Sequence, residues 1–412
     1  MRLSECRGVL RRGAPLHAGP LALVEVTCRS CGEVLFPAAT FLFGAMLPPM
    51  SKPPRHRNSE PSRPSAAAEN RRSVVLAIDG YEWLSSLLVA EGLDATLFTV
   101  PRMWTRMRRT RRNALRQLLD VWLAIRASSV AHDRRAVLVC SGAGLTPAAV
   151  VALLGFVRAS KRVPLVALNV IVFPASRIRG LLRDRVYRAL WARVPLWASV
   201  SSEWLRQSAV NAYGFSPDRI RVLSDCWLPR WMERAAEPTP IDSGYVFSGG
   251  AAARDWETVV ETARACPAIP FRVIAGRADW PAHLDVPDNL QVTFDTSPDY
   301  FWESARHARV SVVSLASNVT SGLVVLMLTS LMGRPVVCTR TAATEPYYPA
   351  QCSEMLIEPR DHAGMARAVE SLWVDQQRRL DLARALQSHI MSTHSPESYA
   401  RGLAEIISST TG

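Results

Sequence analysis

The stretch TSGLVVLMLTSLMGRPVV, Thr320 to Val337, opens on two hydroxyls and a glycine, stays apolar for the length of a helix, and breaks at Gly333 into Pro335-Val336-Val337. Hydroxyl residues and glycine suit the start of a helix, a glycine suits its end, and the β-branched pair reads as the strand that follows. The stretch is therefore read as helix N-terminus, helix and return strand. The same alternation extends on both sides of it. Upstream lie GYVFSGG (Gly244 to Gly250), the helical DWETVVETARAC (Asp255 to Cys266), FRVIAGR, LQVTF, the helical YFWESARHA (Tyr300 to Ala308) and RVSVVSL. Downstream comes EMLIEP, then a helix over His362 to Trp373.

An earlier series has the same form. SVVLAIDG (Ser73 to Gly80) leads to the helical EWLSSLLVAEG, then to ATLFTV, AVLVCSGAG, PLVALNVIV, WASVSS and RIRVLSDC (Arg219 to Cys226), with helical segments between them. Continuous apolar strands alternating with helices predict parallel sheets covered on both faces. The expected fold class is α/β, with two Rossmann-like doubly wound domains at 71–230 and 244–394. A linker over 231–243 carries Pro238 and Pro240, and a last helix spans 395–412. In such sheets ligands sit beyond the carboxyl ends of the strands, here in a cleft between the two domains. Residues 1–70 are expected to be a disordered extension, because Met50 to Arg72 is rich in Pro, Ser and Arg and poor in apolar residues. Val34 to Leu47 is apolar but too short to span a bilayer.

The formal net charge of +13 raises a nucleic-acid reading. Lys52 and Lys161 are the only lysines among 49 basic residues, so the charge is almost all arginine, a skew that also follows from a GC-rich genome. The chain has no zinc module, RNA-binding signature or basic coil with heptads, so no nucleic-acid partner is expected. The eight cysteines are scattered, several within apolar strand-like runs, which fits reduced core thiols in a reducing cytoplasm. Cys28 and Cys31 form the one close pair, and without a second pair of ligands no metal site is expected.

Several segments of the second half, taken in order, are similar to one known group. YVFSGGAAARDWETVVETA resembles a first strand and glycine turn, and PDNLQVTF with PDYFWESARHARVSVVSL resembles a "P-N-V-x-F … Y … A-x-V-x-V" stretch. SGLVVLMLTSLMGRPVV resembles the signature "S-G-x-x-x-L-x-E-A-M-A-x-G-x-P-V-V". These are the marks of the GT-B glycosyltransferases, in particular family 4-like enzymes of bacterial polysaccharide synthesis. The resemblance covers about Ser73 to Ser409, and SPESYARGLAEII is similar to the helix that crosses back to the first domain in that group. It implies a nucleotide-diphosphate-sugar as co-substrate with no further cofactor. It also implies a saccharide or polyprenyl-linked acceptor, and work at the inner face of the plasma membrane. One position departs from the pattern. Leu328 stands where the group usually has the acid that binds the donor's ribose, which leaves a catalytically degenerate partner or scaffold protein as the alternative.

Elementary chemistry points to the same donor residues. Thr320, Ser321 and Gly322 lie at a helix start, where free N–H groups and the positive end of the dipole bind anions. Gly249 and Gly250 allow backbone to approach a phosphate closely. Arg254 and Arg277 are the candidate diphosphate cations, since this half contains no lysine. Trp256 is read as core. Glu345 and Glu358 are the acids near the signature, and Glu345 is the candidate sugar or ribose partner. On the acceptor side, Asp79 and Glu82 follow the opening strand and are the candidates for a base if the reaction inverts; a turn residue and a first-turn helix acid are the structural alternatives. Arg102 to Gln117 and Arg177 to Trp197 interleave arginine with Trp, Leu and Tyr, a pattern that fits docking on an anionic membrane surface as well as a solvated face.

Overall fold

The computed structural model describes residues 26–27, 34–35, 72–78, 81–99, 113–143, 145–157, 163–172, 178–194, 196–235, 244–250, 253–316 and 321–410. The chain divides into two compact units, Met1–Pro64 and Ser65–Gly412. In the first unit, β1 (Val26–Thr27) pairs antiparallel with β2 (Val34–Leu35). The expectation of a disordered extension otherwise falls outside the described residues, as do Cys28 and Cys31.

Among its described residues the second unit holds two six-stranded parallel sheets. The first contains β3 (Ser73–Ala77), β4 (Asp94–Leu97), β5 (Val137–Ala143), β6 (Leu165–Ile171), β7 (Leu196–Val200) and β8 (Ile220–Val222), in the order β4-β3-β5-β6-β7-β8. Its helices are α1 (Glu82–Ala90), α2 (Asn113–Asp133), α3 (Thr146–Val157), α4 (Ile178–Trp191) and α5 (Glu203–Tyr213). Side chains alternate along a strand, so β3 serves both faces. Val75 and Ala77 pack with Leu123, Ala124 and Ala127 of α2, whereas Val74 and Leu76 pack with Leu84 and Leu88 of α1.

The second sheet contains β9 (Tyr245–Gly250), β10 (Phe271–Ala275), β11 (Leu290–Phe294), β12 (Ala308–Val313), β13 (Val336–Thr339) and β14 (Leu356–Ile357), in the order β11-β10-β9-β12-β13-β14. Its helices are α6 (Pro229–Ala235), α7 (Trp256–Ala265), α8 (Pro298–Arg306), α9 (Leu323–Leu331), α10 (His362–Val374) and α11 (Gln376–Thr393). The stretch Ser321 to Val337 thus contains α9 and the first two residues of β13. The linker expected at 231–243 begins inside α6, whose Trp231 is buried in the core of the second half; 236–243 lie outside the described residues.

α12 (Pro396–Ser409) returns to the first sheet and lays Tyr399, Leu403, Ile406 and Ile407 against α1 and the strands beneath it. Each such buried side chain contributes about 1.5–3 kcal/mol, enough to hold the return helix on the first half. The two passes of chain between the halves run side by side, with the Trp227 amide donating to the His394 carbonyl (3.1 Å). Beyond β13, the Tyr347 ring stacks on His394 (4.0 Å between centroids), and its hydroxyl donates to the Asp225 carbonyl (3.2 Å). Tyr347 lies past the carboxyl end of one sheet and Asp225 past that of the other, so these ends face each other across the joint.

Candidate functional site

In each sheet strand order reverses beside the first strand, between β3 and β5 in one and between β9 and β12 in the other. The second reversal carries the best-formed site. β9 ends in Gly249-Gly250, and the chain turns so that Arg254 makes an antiparallel bridge with Leu315, just beyond β12. The Asp255 amide donates to the Ser314 carbonyl (3.2 Å) and the Ala316 amide to the Ala253 carbonyl (3.1 Å). The Leu315 amide donates to the Thr339 hydroxyl (3.0 Å) of β13, so three strand ends fix this loop.

The Arg254 side chain folds back over the loop. Its Nε donates to the Gly249 carbonyl (3.0 Å) and its Nη1 to the Ser321 hydroxyl (3.1 Å), linking residues 67 apart in sequence. Gly250 has φ +123, and a Cβ there would lie on the guanidinium. Gly322, with φ +88, caps α9; a Cβ there would come within 2.8 Å of Val313 and 3.2 Å of Arg254 Nη1. Both glycines are thus required by conformation and by the arginine they make room for. Burial lowers the pKa of Arg254 to about 10, because removing the cation from water disfavours its charged form. Among the described residues no side chain caps α9, whose first turn starts beside Arg254. A guanidinium beside the N-terminus of a helix can receive a phosphate or diphosphate.

A second polar cluster occupies the carboxyl end of the first sheet. Asn169 has φ +57 and lies where the β5–β6 register shifts. Its amide nitrogen donates to the Tyr81 hydroxyl (3.2 Å) and to Asp225 Oδ1 (3.2 Å), while its Oδ1 accepts from the Tyr399 hydroxyl (3.1 Å) of α12. Its backbone N–H donates to the Ser199 hydroxyl (2.9 Å) of β7. Burial raises the pKa of Asp225 to about 6.

No family model matches the chain, and no curated protein matches it significantly. Solved structures do. A glycosyltransferase from Rickettsia africae is 10% identical with a TM-score of 0.60, covering 83% of this chain and 99% of that one. HepE of Anabaena, in complex with UDP-glucose, is 14% identical with a TM-score of 0.55, covering 82% and 99%. Sucrose-phosphate synthase from Thermosynechococcus elongatus is 12% identical with a TM-score of 0.53, covering 82% and 99%. The chain has the GT-B fold. At these identities the likeness concerns architecture, and the chemistry must come from the residues.

Of the residues singled out in the sequence, this GT-B structure brings Gly249, Gly250, Arg254, Ser321 and Gly322 together. Thr320 and Asp79 lie outside the described residues. Arg277 stands exposed past β10, its guanidinium 4.6 Å from the Phe294 ring centroid, and no described contact joins it to Arg254. Glu345 is engaged elsewhere: Arg340 donates to its carboxylate (3.0 Å) and reaches Glu358 as well (3.0 Å). Glu82 is exposed in the first turn of α1. Asp255 does not pair with its neighbour Arg254; it caps α7 by accepting from the Thr258 amide (3.1 Å). Trp256 is core, 2% exposed.

Leu328 points into the core of the second half and is 2% exposed, so the position that usually carries an acid is apolar by environment as well as by residue. On α4, Tyr187 and Trp191 are buried against Tyr213 and Phe215 and do not form the interfacial aromatics that the sequence suggested. The basic segment Arg102 to Gln117 has no described side chains. Sequence reasoning missed Asn169, Asp225 and Tyr399. Asp225 was within reach of the rule that selected Asp79, since it too is an acid just beyond a strand.

Proposed function

We propose that this protein is a glycosyltransferase that takes a sugar from a nucleotide-diphosphate-sugar and passes it to a saccharide or lipid-linked acceptor, in the synthesis of a polysaccharide or glycoconjugate. The observation that carries this reading is Arg254, a buried cation held by the Gly249 carbonyl and the Ser321 hydroxyl at the strand-order reversal, beside the N-terminus of α9. In such a transfer the bond between the anomeric carbon and a diphosphate oxygen breaks, and the electron pair leaves on the diphosphate. Arg254 and the α9 amides meet that growing charge with fixed donors in a partly desolvated site. The complexes of HepE with UDP-glucose and with UDP make uridine diphosphate the first probe.

UDP or another nucleoside diphosphate at a hundred times its Kd is expected to stabilise the fold by about 2.7 kcal/mol, read as a rise in melting temperature. Ser321→Ala removes one anchor of the guanidinium and is expected to weaken that binding about 5-fold, the net worth of one hydrogen bond. If no nucleoside diphosphate shifts the melting temperature, the transferase reading fails. Binding without turnover of any nucleotide-sugar would favour the degenerate form, the reading motivated by Leu328.

A lipid-linked acceptor is favoured by one surface feature. Leu181 (57% exposed) and Val186 (51%) stand out from α4, with the exposed Arg185 next to them, and the neighbouring α3 exposes Leu153 and Leu154. No helix among the described residues is long and apolar enough to cross a membrane. Flotation with vesicles containing anionic lipid is expected to carry the protein, and the pair Leu181→Ser and Val186→Ser to reduce the bound fraction at least 3-fold. Equal flotation with neutral vesicles and with both proteins would remove the membrane reading.

A further inference from the structure

The Asn169 cluster faces the second half from the carboxyl end of the first sheet, and the transferase reading assigns it no task. Two features argue against a purely structural one. Asn169 holds a left-handed conformation at a register shift, a backbone state that costs free energy and tends to persist at functional sites. Asp225 is also a part-buried carboxylate that no cation offsets among the described residues; the Asn169 amide is its hydrogen-bond donor. A carboxylate kept in such a place costs stability that a neutral residue of the same shape would not.

Resting on the transferase reading, we infer that Asp225 is the acceptor-side carboxylate, receiving the hydroxyl of the incoming acceptor at the floor of the cleft. The acceptor's O–H proton passes to Asp225 as its oxygen forms the new bond to the anomeric carbon. The bond to the diphosphate breaks with its electron pair, and Asp225 then returns the proton to water. Asn169 is a positioning residue: one amide nitrogen aims Asp225 while its oxygen is tied by Tyr399 to the return helix. This assignment is an alternative to the expectation of Asp79 or Glu82 as the base.

Several described groups around Asp225 keep one charge state near neutral pH. Burial pushes Tyr81 up to about 12 and moves Cys226, Tyr347 and Tyr399 upward too, so all four stay neutral. Burial lowers His394, on the return segment, to about 4, so it is neutral as well. Glu397 of α12 faces Cys226 as a neighbouring negative charge. Because burial raises the folded-state pKa of Asp225 to about 6, its ionised form destabilises the fold above that pH, and protonation relieves the strain as pH falls through 6.

The test is Asp225→Asn, studied by melting temperature, UDP affinity, and release of nucleoside diphosphate from a set of UDP-, GDP- and dTDP-sugars with water as acceptor. At pH 7.5 the variant is expected to melt about 2–5 °C higher, to bind UDP as the wild type does, and to turn over at least a hundredfold more slowly. Wild-type turnover is expected to fall as pH drops through about 6, and that of the variant to be flat. If the variant turns over at the wild-type rate, or melts lower than the wild type at pH 7.5, the assignment of Asp225 is overturned while the transferase reading stands. If the wild type turns over none of the nucleotide-sugars, both fall.

Discussion

Arg254→Met will weaken UDP binding, measured by titration calorimetry, by about a hundredfold or more, while the ligand-free protein melts at the wild-type temperature or above. The first half of this expectation follows from charge-assisted hydrogen bonds to a diphosphate, each worth about 1.5–3 kcal/mol, of which the side chain can supply two. The second follows from burial. Burial of the guanidinium lowers its pKa to about 10, so holding the charged form there costs free energy that a neutral side chain does not incur. Methionine fills the space left by Gly250 and Gly322 without a charge to desolvate. Lysine would not substitute, since one ammonium cannot hold both the Gly249 carbonyl and Ser321 while presenting a fork to phosphate. UDP affinity unchanged in Arg254→Met would move the diphosphate site elsewhere.

Leu328→Glu will lower stability by about 3 kcal/mol or more, against less than about 1.5 kcal/mol for Leu328→Met, in chemical denaturation at neutral pH. The sequence alone invites the opposite expectation, that restoring the customary acid would improve a donor site. Leu328 instead lies within the core formed with Val325, Leu331 and the strands of the second sheet, and α9 is buried along nearly its whole length. A carboxylate there must stay charged without water or take up a proton, and either costs the fold. If Leu328→Glu keeps wild-type stability and binds UDP more tightly, the position reaches the ligand and the burial argument is wrong.

The two substitutions mark where sequence reasoning was strong and where it stopped. The glycine at the start of α9 and the glycine pair that ends β9 were readable, because the positive φ of Gly250 and Gly322 is a demand of the local backbone. That Arg254 and not Arg277 meets Ser321 was not readable. Both arginines follow strands at similar offsets, and the choice depends on β9 and not β10 lying beside β12. Glu345 is suggested by its nearness to the signature, and its ion pair with Arg340, which also reaches Glu358 past β13 and β14, was not readable. Asp225 went unnoticed because its partners Asn169, Tyr81 and Tyr399 come from three distant parts of the chain.

The sequence by itself determined the alternation of buried strands and helices, and with it the two parallel sheets, because hydrophobic periodicity and turn residues act over a few neighbours. Only the tertiary structure decided which cation sits on the glycine loop, that Leu328 faces inward, and that Asp225 joins a hydrogen-bonded cluster with Asn169. Strand order and helix packing place residues 67 or 230 positions apart within one hydrogen bond, and no local pattern records that proximity.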